Sequence, residues 1–343
     1  MANLKWSWMF SDEDDATMAL LGWLIPGLGG ARVTTYTYSY PGDPMRAAGL
    51  RTSAGAYNGY YWKGPASAAS ISGSISVPVY FSDTPIANDC VWVEKDGTST
   101  IISIKPTGGS SLGLYMNGTL KEEATGLSMT GAWTYITLKY DMSTNPWSAQ
   151  MFINASGSAT TYTEAVAAAA GTNFYLEGST GAADTFFGQV ALYSDWADTE
   201  QLRYVTRVNP TVDTSEVGTW TPSTGTDNFA VISGSFSTAQ YCQNTASVSS
   251  DNVVCRVTGA LGLITQLGMS PPSIDGVTVH CWASGSGQNA VAGVSDNNST
   301  WTTGSAITPS SSPTYGYVTV STQPSDSAVW NATSSLYIKY EVV

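Results

Sequence analysis

The amino-acid sequence predicts an all-β fold with two β-sandwich domains in tandem. Short runs of β-branched and aromatic residues recur along the chain, each bounded by Gly, Pro, Asn or Asp, which is the pattern of strands and turns. No long segment repeats its apolar residues at the helical period. The chain has 343 residues, more than one ordinary domain, and its 42% hydrophobic content is enough to form folded cores.

Residues 1–209 are predicted to form the first and larger sandwich. Because proline cannot donate to a strand ladder, Pro78 predicts that its strand lies at a sheet edge or carries a β-bulge. The dipeptides Asp96-Gly97 and Asn117-Gly118 favour positive φ and predict type I′ hairpin turns. The strands of this domain are expected at 71–81, 90–94, 100–105, 112–116, 133–140, 150–154, 172–176 and 186–193.

A short helix at 199–206, capped by Asp198 or Thr199, is expected near the end of this domain. Residues 210–226 are rich in Pro, Thr, Ser and Gly and are predicted to be a linker. Residues 227–343 are predicted to form the second sandwich. Its strands are expected at 229–233, 252–257, 276–283, 290–294, 315–321 and 335–342.

The charge pattern argues against nucleic acid as a partner. The net charge is −13, and the 13 Lys and Arg residues form no run, whereas binding to a phosphate backbone needs clustered cations. Charged residues make up only 11% of the chain, against roughly 25% in an average soluble domain. Such a surface suits a protein that is largely covered by neighbouring subunits, because interfaces are enriched in Tyr and Trp and depleted in Lys and Glu.

The N-terminal segment is unusually apolar and predicts contacts with a partner. Residues 6–10 and 18–28 carry large apolar side chains, with the acidic run 11–15 between them. This order and charge do not match a secretory signal peptide. The stretch 18–28 is about half the length of a membrane span, so no membrane partner is expected.

The four cysteines do not have the spacing of a zinc or redox site. Cys90 is alone in its half of the chain and is expected to be a small buried apolar residue. Cys242, Cys255 and Cys281 could supply one disulfide bond. Free thiols are favoured if the protein folds in a reducing cytoplasm.

Three segments carry a resemblance to a known family. They are 133–141 (WTYITLKYD), 151–157 (MFINASG), with Asn154 at a turn, and 187–193 (FGQVALY), followed by 194–202. In this order and spacing they resemble the laminin G/concanavalin A-like domains that are common in phage structural proteins. The segments 274–283 and 330–338 resemble, more loosely, a companion module found behind such domains. The resemblance implies an N-terminal jelly-roll β-sandwich followed by a smaller C-terminal one.

The same resemblance implies a non-enzymatic bacteriophage virion structural protein, in the capsid decoration, the collar or a tail appendage. Its partners would be other virion proteins and copies of itself, with a trimer as the expected oligomer. It would assemble in the host cytoplasm and be released in the virion by lysis. The alternative is a glycan-binding adhesin or lectin-like protein, on a virion or a cell surface, with a host surface glycan as its ligand.

No catalytic residue is assigned. Glu94 and Asp96 partly match the E-x-D-x-x-E pattern of concanavalin-like glucanases, but Ser99 stands where the third acid is needed. Ser111 lies in a G-x-S-x-G segment, between two expected strands rather than between a strand and a helix. The only histidine, His280, is in the other domain and is interpreted as a partly exposed strand residue. A hydrolase is therefore not expected.

No metal ligand or binding residue is assigned, and no cofactor is expected. The alternative of a structural calcium ion is kept for Asp141, Asp195 and Asp198, which lie in suitable loops of a laminin G-like domain. The acidic cluster 12–15 is interpreted as a solubility feature. Among the aromatic residues, Trp133, Tyr135, Tyr140 and Trp330 are expected in the cores. The segment 59–62 (GYYW) and Trp301 are the candidates for exposed rings that could stack on a sugar.

Overall fold

The computed structural model describes two compact units, Met1–Val205 and Thr206–Val343. The residues described are 4–9, 50–52, 61–63, 72–86, 90–95, 99–154, 156–157, 161–165, 173–177, 185–194, 210–232, 241–244, 246, 248–257, 274, 276–331 and 334–343. The predicted all-β fold is confirmed, because nearly every element is a strand in an antiparallel sheet. No helix among these residues is long and apolar enough to cross a membrane.

The first unit contains two antiparallel sheets. Its strands are β1 (Leu4–Met9), β2 (Leu50–Thr52), β3 (Tyr61–Lys63), β4 (Ser72–Phe81), β5 (Val91–Lys95), β6 (Ser99–Gly108), β7 (Ser111–Met116), β8 (Thr119–Ala124), β9 (Trp133–Asp141), β10 (Trp147–Ile153), β11 (Ser156–Gly157), β12 (Tyr162–Glu164), β13 (Asn173–Glu177), β14 (Thr185–Phe187) and β15 (Gln189–Tyr193). The larger sheet has the order β1-β15-β4-β9-β10-β11, with β14 and β2 beside β4 and β12 beside β10. The smaller has the order β3-β13-β5-β6-β7-β8.

Apolar side chains of both sheets build the core of this unit. The strand β4 is buried along almost its whole length, which requires cover on both faces of the larger sheet. An ion pair at 3.1 Å joins Lys121 of β8 to Glu164 of β12 and so ties the two sheets at one margin. Fully buried members of the core include Val77, Val79, Phe81, Ile102, Ile104, Leu112, Leu114, Met116, Ile136, Leu138, Trp147, Leu176, Phe187 and Val190.

The hairpin predicted at Asn117-Gly118 is confirmed. Asn117 has φ 47° and Gly118 has φ 75°, as both central positions of a type I′ turn require. Met116 pairs with Thr119 across the turn. The dipeptide Asp96-Gly97 and the helix expected at 199–206 lie outside the described residues.

The edge position considered for Pro78 is wrong. The strand β4 is central, with β9 on one side and β14 and β15 on the other. The neighbouring strand is irregular opposite Pro78: Phe187 pairs with Val79 and Ala191 with Ser76. Two residues of β4 therefore face three residues of the neighbour, which is a β-bulge. The ladder is interrupted there, so the missing N–H of proline is tolerated.

The second unit is built from nine strands and one short helix, within the described residues. They are β16 (Val212–Val217), β17 (Trp220–Pro222), α1 (Asn228–Ile232), β18 (Cys242–Asn244), β19 (Asn252–Val257), β20 (Val277–Ala283), β21 (Ala290–Ser295), β22 (Thr302–Thr303), β23 (Thr314–Val320) and β24 (Leu336–Val342). A five-stranded sheet has the order β16-β19-β24-β21-β22, while β17 pairs with β18 and β20 pairs with β23. Val279, Cys281, Val318 and Val320 of the β20–β23 pair join one core cluster with Ala292, Val294, Leu336 and Ile338 of the five-stranded sheet.

Two expectations for the second unit need correction. Residues 210–226 are not a linker, because β16 forms an edge of the five-stranded sheet by pairing with β19. Residues 229–233 are not a strand, because α1 covers most of them. The reason is tertiary: the Asp213 carboxylate accepts the backbone N–H groups of Asn228 (2.7 Å) and Phe229 (2.8 Å), which lie in the first turn of α1.

The tryptophans expected in the cores differ in burial. Trp330 is fully buried in the core cluster of the second unit, as expected. Tyr135 and Tyr140 of β9 are also buried. Trp133, at the start of β9, is only half-buried and packs on the edge of a small cluster with Tyr80 at 5.5 Å between ring centroids. The expected core position therefore holds for Trp330 but only in part for Trp133.

Residues near the beginning of the chain form an edge strand of the larger sheet of the first unit. The strand β1 pairs with β15 along residues 4–9. Leu4 packs with Ala191 and Tyr193 in a small buried cluster. The apolar stretch 18–28 and the acidic run 11–15 lie outside the described residues.

Candidate functional site

The β20–β23 pair presents aromatic and hydroxyl side chains on the face that points away from the core. Side chains alternate between the faces of a strand, and the apolar residues 279, 281, 318 and 320 occupy the core face. In the register, Trp282 lies opposite Tyr315 and His280 lies opposite Tyr317. We call the outer face the ribbon face; it consists of Thr278, His280, Trp282, Tyr315, Tyr317 and Thr319, all half-buried.

Tyr315 is the centre of the ribbon face, because its ring neighbours three other rings. The ring centroids of Tyr315 and Trp282 are 5.6 Å apart with planes 39° from parallel. His280 and Tyr317 each lie 6.0 Å from Tyr315, with interplanar angles of 17° and 25°. The rings thus occupy two neighbouring levels of the strand pair, Trp282 with Tyr315 and His280 with Tyr317. Aromatic pairs in such contact stabilise each other beyond their area burial.

Polar atoms accompany the rings. The Nδ1 atom of His280 lies 2.8 Å from the hydroxyl oxygen of Tyr315. Next along the pair, the hydroxyl oxygens of Thr278 and Thr319 are 3.1 Å apart. These groups can both donate and accept hydrogen bonds. The ribbon face can therefore hold a ligand that is apolar on one face and carries hydroxyl groups around its rim.

Close packing on the core face of β20 and β23 holds the two strands of the ribbon face in place. A Cβ atom on Gly316 would lie 2.5 Å from the side chain of Ile307, so the absence of a side chain at Gly316 lets Ile307 press against β23. The Sγ atom of Cys281 donates to the carbonyl oxygen of Gly316 at 3.3 Å. A binding face built on strands that are held in this way is more rigid than one built on loops.

Within the described residues, the cations of the second unit lie on the opposite side of this sandwich. Arg256 and Lys339 belong to β19 and β24, on the outer face of the five-stranded sheet. The Arg256 guanidinium lies 5.5 Å from the centroid of the Tyr337 ring. The Lys339 ammonium lies 5.0 Å from the centroid of the Trp301 ring and 2.5 Å from the Glu341 carboxylate. Both cations are therefore engaged with their own unit.

The sequence offered two candidates for exposed aromatic rings, Trp301 and the segment 59–62, and the structure describes the side chain of only the first. Trp301 is half-buried and lies against the backbone of Gly293, where a Cβ atom would come 3.3 Å from its ring, with Lys339 over it. Part of the ring surface is thus covered by its own chain.

Tyr61 and Trp62 lie on β3, but their side chains, like residues 59–60, are outside the described part of the protein. The sequence missed the ribbon face, although the alternation of aromatic residues on β20 and β23 is a signal that could have found it.

The residues weighed for catalysis do not form a site among the described residues. Ser111 lies at the start of β7, after the turn from β6, as expected; its Oγ atom is 2.8 Å from Oγ1 of Thr107. His280 is a half-buried strand residue, which confirms its interpretation, and it is bonded to Tyr315. Glu94 lies on β5, and Asp96 falls outside the described residues.

A second polar cluster surrounds Asp213 and was not predicted. The Cys255 thiol donates to the Asp213 carboxylate at 3.4 Å, and the Cys242 thiol donates to the side-chain oxygen of Asn228 at 2.8 Å. Asn228 also donates to Glu216 at 3.0 Å. Burial, with Glu216 and Asp213 adding to it, raises the pKa of Cys242 to about 12. Burial and the bond to Asp213 also raise the pKa of Cys255. The cluster ties α1 to the sheet and disfavours the nucleophilic thiolate form.

The sulfur and carboxylate groups give no metal site in the described part of the chain. All four cysteines are free thiols in the structure. Asp141, a candidate calcium ligand, accepts the backbone N–H and the hydroxyl of Ser143, at 2.9 and 2.5 Å. Asp195 and Asp198 lie outside the described residues. No group of three or more His, Cys, Asp or Glu in the described residues is arranged to hold a metal ion.

Comparison with known proteins finds distant structural similarity only. No protein-family model matches the chain, and no curated protein matches it. The sialidase of Trypanosoma rangeli in complex with the inhibitor DANA is 11% identical over 44% of this chain, with a TM-score of 0.34. The chain matches 26% of that enzyme's length, about a quarter.

Two smaller proteins are similar over more of their own length. The CBM40 module of the Ruminococcus gnavus IT-sialidase, bound to α2,3-sialyllactose, is 13% identical, with a TM-score of 0.30 over 38% of this chain and 79% of the module. A carbohydrate esterase of the Shiga toxin-encoding bacteriophage phi24B is 12% identical, with a TM-score of 0.39 over 57% of this chain and 100% of the esterase. All three similarities are distant and concern β-sandwich architecture, not family identity.

Proposed function

We propose that this protein is a non-enzymatic glycan-binding protein and that an oligosaccharide binds to the ribbon face of its second unit. The observation that carries the proposal is the run of neighbouring rings on one face of the β20–β23 pair, with Tyr315 between Trp282 and Tyr317. A binding role for an ordered aromatic face has a direct physical basis, because the face combines large apolar area with fixed polar groups.

The chemistry of a sugar ring suits this surface. One face of a pyranose ring consists of C–H bonds, whose hydrogens carry partial positive charge and are attracted to the negative face of an aromatic ring. Its rim consists of hydroxyl groups, which both donate and accept hydrogen bonds. Trp282, Tyr315 and Tyr317 offer the ring surfaces, and Thr278 and Thr319 offer hydroxyl groups beside them.

Nucleic acid is a poorer ligand for the same rings. Bases also stack on aromatic side chains, but single-stranded nucleic acid requires a positively charged groove along its backbone. The strands β20 and β23 contain no Lys or Arg, and the net charge of the chain is −13. A glycan needs no such counter-charge, which favours it over a polyanion.

The proposal is tested with the intact chain on a glycan array, followed by calorimetry with the best oligosaccharide. Tyr315→Ala and Trp282→Ala should each weaken binding by about tenfold or more, since each removes a stacking surface worth roughly 1–3 kcal/mol. Trp301→Ala is the matched control, because it removes an aromatic ring from the opposite face of the same unit. If the ribbon variants bind like the wild type, or if no glycan binds, this function is wrong.

The absence of catalysis is a proposal with its own test. Ser111 and Glu94 are the residues that would carry an acyl-transfer or glycosidase reaction. A panel of acyl esters and polysaccharides should show no turnover above a blank. Turnover that disappears in Ser111→Ala or Glu94→Gln would contradict the non-enzymatic assignment.

A second candidate function is that of a bacteriophage virion structural protein, and it is compatible with glycan binding. The observation that favours it is the edge strand β16, on which Val212 and Val217 are 42% and 52% exposed. An exposed sheet edge with apolar side chains is a surface on which another chain can pair. The low content of charged residues, 11%, also suits extensive subunit contacts. Mass spectrometry of purified phage particles should find this chain at a fixed copy number; its absence from the particle would exclude the virion role.

A further inference from the structure

We infer that the ribbon face selects uncharged oligosaccharides and discriminates against those that carry carboxylate or sulfate groups. This inference rests on the proposed glycan-binding function and adds the chemical class of the ligand. Three properties of the second unit support it: the composition of the two strands, the position of its cations and the length of the ribbon face.

The strands of the ribbon face contain no permanently charged partner for an anionic sugar, and the Nδ1 atom of His280 is already hydrogen-bonded to Tyr315. β20 reads VTVHCWA and β23 reads TYGYVTV, so neither contains Asp, Glu, Lys or Arg. Proteins that recognise a carboxylate or a sulfate group typically supply Arg or Lys, because a charge-assisted hydrogen bond is about twice as strong as a neutral one. The two strands therefore offer an anion no Lys or Arg to compensate for the hydration that it loses on the ribbon face.

The remaining charges of the second unit act in the same direction. Residues 206–343 contain three basic residues, Arg207, Arg256 and Lys339, against eight acidic ones. Arg256 and Lys339 lie on the opposite face of the sandwich, over Tyr337 and Trp301, and Lys339 is also paired with Glu341. Arg207 lies outside the described residues. An anionic glycan therefore approaches a unit with an excess of negative charge, which slows and weakens its binding.

The length of the ribbon face indicates an oligosaccharide rather than a single sugar. Thr278 and Trp282 are four positions apart on one strand, which corresponds to about 13 Å at a rise of roughly 3.3 Å per residue. Within this length the outer side chains form three cross-strand levels: Trp282 opposite Tyr315, His280 opposite Tyr317, and Thr278 opposite Thr319. More than one sugar ring can therefore contact the face at once, and each added contact strengthens binding.

The test uses the intact chain and a glycan array on which each neutral oligosaccharide is accompanied by its sialylated and sulfated forms. At an ionic strength of about 0.15 M, where charges interact over about 8 Å, the neutral form of each bound pair should bind about tenfold more tightly than its anionic form. Raising the salt concentration should narrow this difference, because part of it arises from repulsion between like charges.

A charge-gain variant sharpens the test. Thr319→Lys places a cation beside the rings, next to Thr278, and should strengthen binding of the anionic forms by about tenfold relative to the neutral forms. Thr303→Lys makes the same change of charge at an exposed position on the outer face of the five-stranded sheet, where Thr303 lies beside Gly293, and should leave the ratio unchanged. Thr278→Lys replaces Thr319→Lys if circular dichroism shows that the latter does not fold.

The outcomes separate this inference from the proposed function. Binding of anionic forms as tightly as neutral ones, with loss of both in Tyr315→Ala, would overturn the selectivity while the glycan-binding function stands. An equal effect of Thr319→Lys and Thr303→Lys would also overturn it, because the cation would then act through the overall charge alone. Binding of no glycan at all, or binding that Tyr315→Ala and Trp282→Ala leave intact, would overturn the function and the selectivity together.

Discussion

The imidazole of His280 is hydrogen-bonded diagonally across two strands to Tyr315, with 2.8 Å between Nδ1 and the phenol oxygen. The residue directly opposite His280 is Tyr317, whereas Tyr315 lies opposite Trp282. This diagonal bond holds the Tyr315 ring within 17° of parallel to the imidazole. The bond thereby orients the central ring of the ribbon face, and such preorganisation would reduce the entropy lost on binding the proposed glycan.

The two roles of Tyr315 can be separated by substitution. Tyr315→Phe keeps the ring but removes the hydroxyl that bonds to His280, so affinity for the bound glycan should fall only about two- to fivefold. Tyr315→Ala removes the stacking surface as well, and affinity should fall about tenfold or more. Calorimetry on the intact chain measures both. An equal loss in the two variants would assign the effect to the hydroxyl group instead of the ring.

The position of β16 predicts which fragments fold. A fragment of residues 206–343 retains β16, its pairing with β19 and the bonds from Asp213 to α1. It should be soluble and should unfold cooperatively. A fragment of residues 225–343 lacks the edge strand and leaves the N–H groups of Asn228 and Phe229 without this acceptor, so we expect it to be markedly less stable. Urea unfolding followed by circular dichroism compares the two; equal stability would show that β16 is dispensable.

The difference in burial between the two tryptophans predicts different costs of truncation. Trp330 is fully buried, so Trp330→Ala should lower the free energy of unfolding of the second unit by about 3–5 kcal/mol. Its indole Nε1 has no hydrogen-bond partner among the described residues; Trp330→Phe should therefore cost less. Trp133 is half-buried against Tyr80, and Trp133→Ala should cost about 1–2 kcal/mol in the first unit. Chemical denaturation measures each change, and a larger loss for Trp133→Ala would contradict this order.

Thiol chemistry should report the environment of the cysteines. Burial raises the pKa of Cys242 and of Cys281 to about 12, from an ordinary value of 9.0. At about pH 8 the native protein should react with Ellman's reagent far more slowly than the same chain in denaturant, because only the thiolate reacts. Rapid labelling of native Cys242 would show that its thiol is not held as described.

The same pKa shifts predict how stability depends on pH. Below about pH 9 the thiols are protonated in both the folded and the unfolded chain, so their contribution to stability is fully present. Between about pH 9 and 12 the unfolded chain loses these protons while the folded chain keeps them, and stability falls as pH rises. The Cys242→Ala, Cys281→Ala double variant should show a weaker decline over this range in urea unfolding.

Two glycines with positive φ should respond differently to alanine. Gly118 has φ 75° and open space where a Cβ atom would lie, so Gly118→Ala should cost only about 1 kcal/mol of backbone strain. Gly218 has φ 86°, and a Cβ atom there would come 2.2 Å from Cγ of Asp251. Gly218→Ala should cost about 2–4 kcal/mol because a clash adds to the strain. Thermal unfolding of both variants tests the comparison, and equal losses would contradict it.

Local patterns in the sequence determined most of the strands. The Asn117-Gly118 turn needs only two residues that accept positive φ, and alternation along β24 reflects one buried and one outer face. Both signals lie within a few neighbouring residues. For the same reason the expected strand at 252–257 matches β19.

Tertiary contacts decided the features that local patterns did not predict, namely the central position of the strand with Pro78, the helix α1 and the ribbon face. Pro78 is acceptable in a central strand because the neighbouring strand bulges opposite it, and α1 forms where Asp213, fifteen residues before Asn228, accepts its first N–H groups. Neither partner can be read from the segment concerned. The ribbon face also depends on contacts between distant parts of the chain. His280 and Tyr315 are separated by 35 residues and meet only because β20 and β23 pair. The sequence by itself determined which residues alternate on each strand; pairing between distant strands, which depends on burying the core face of both, decided which rings stand together.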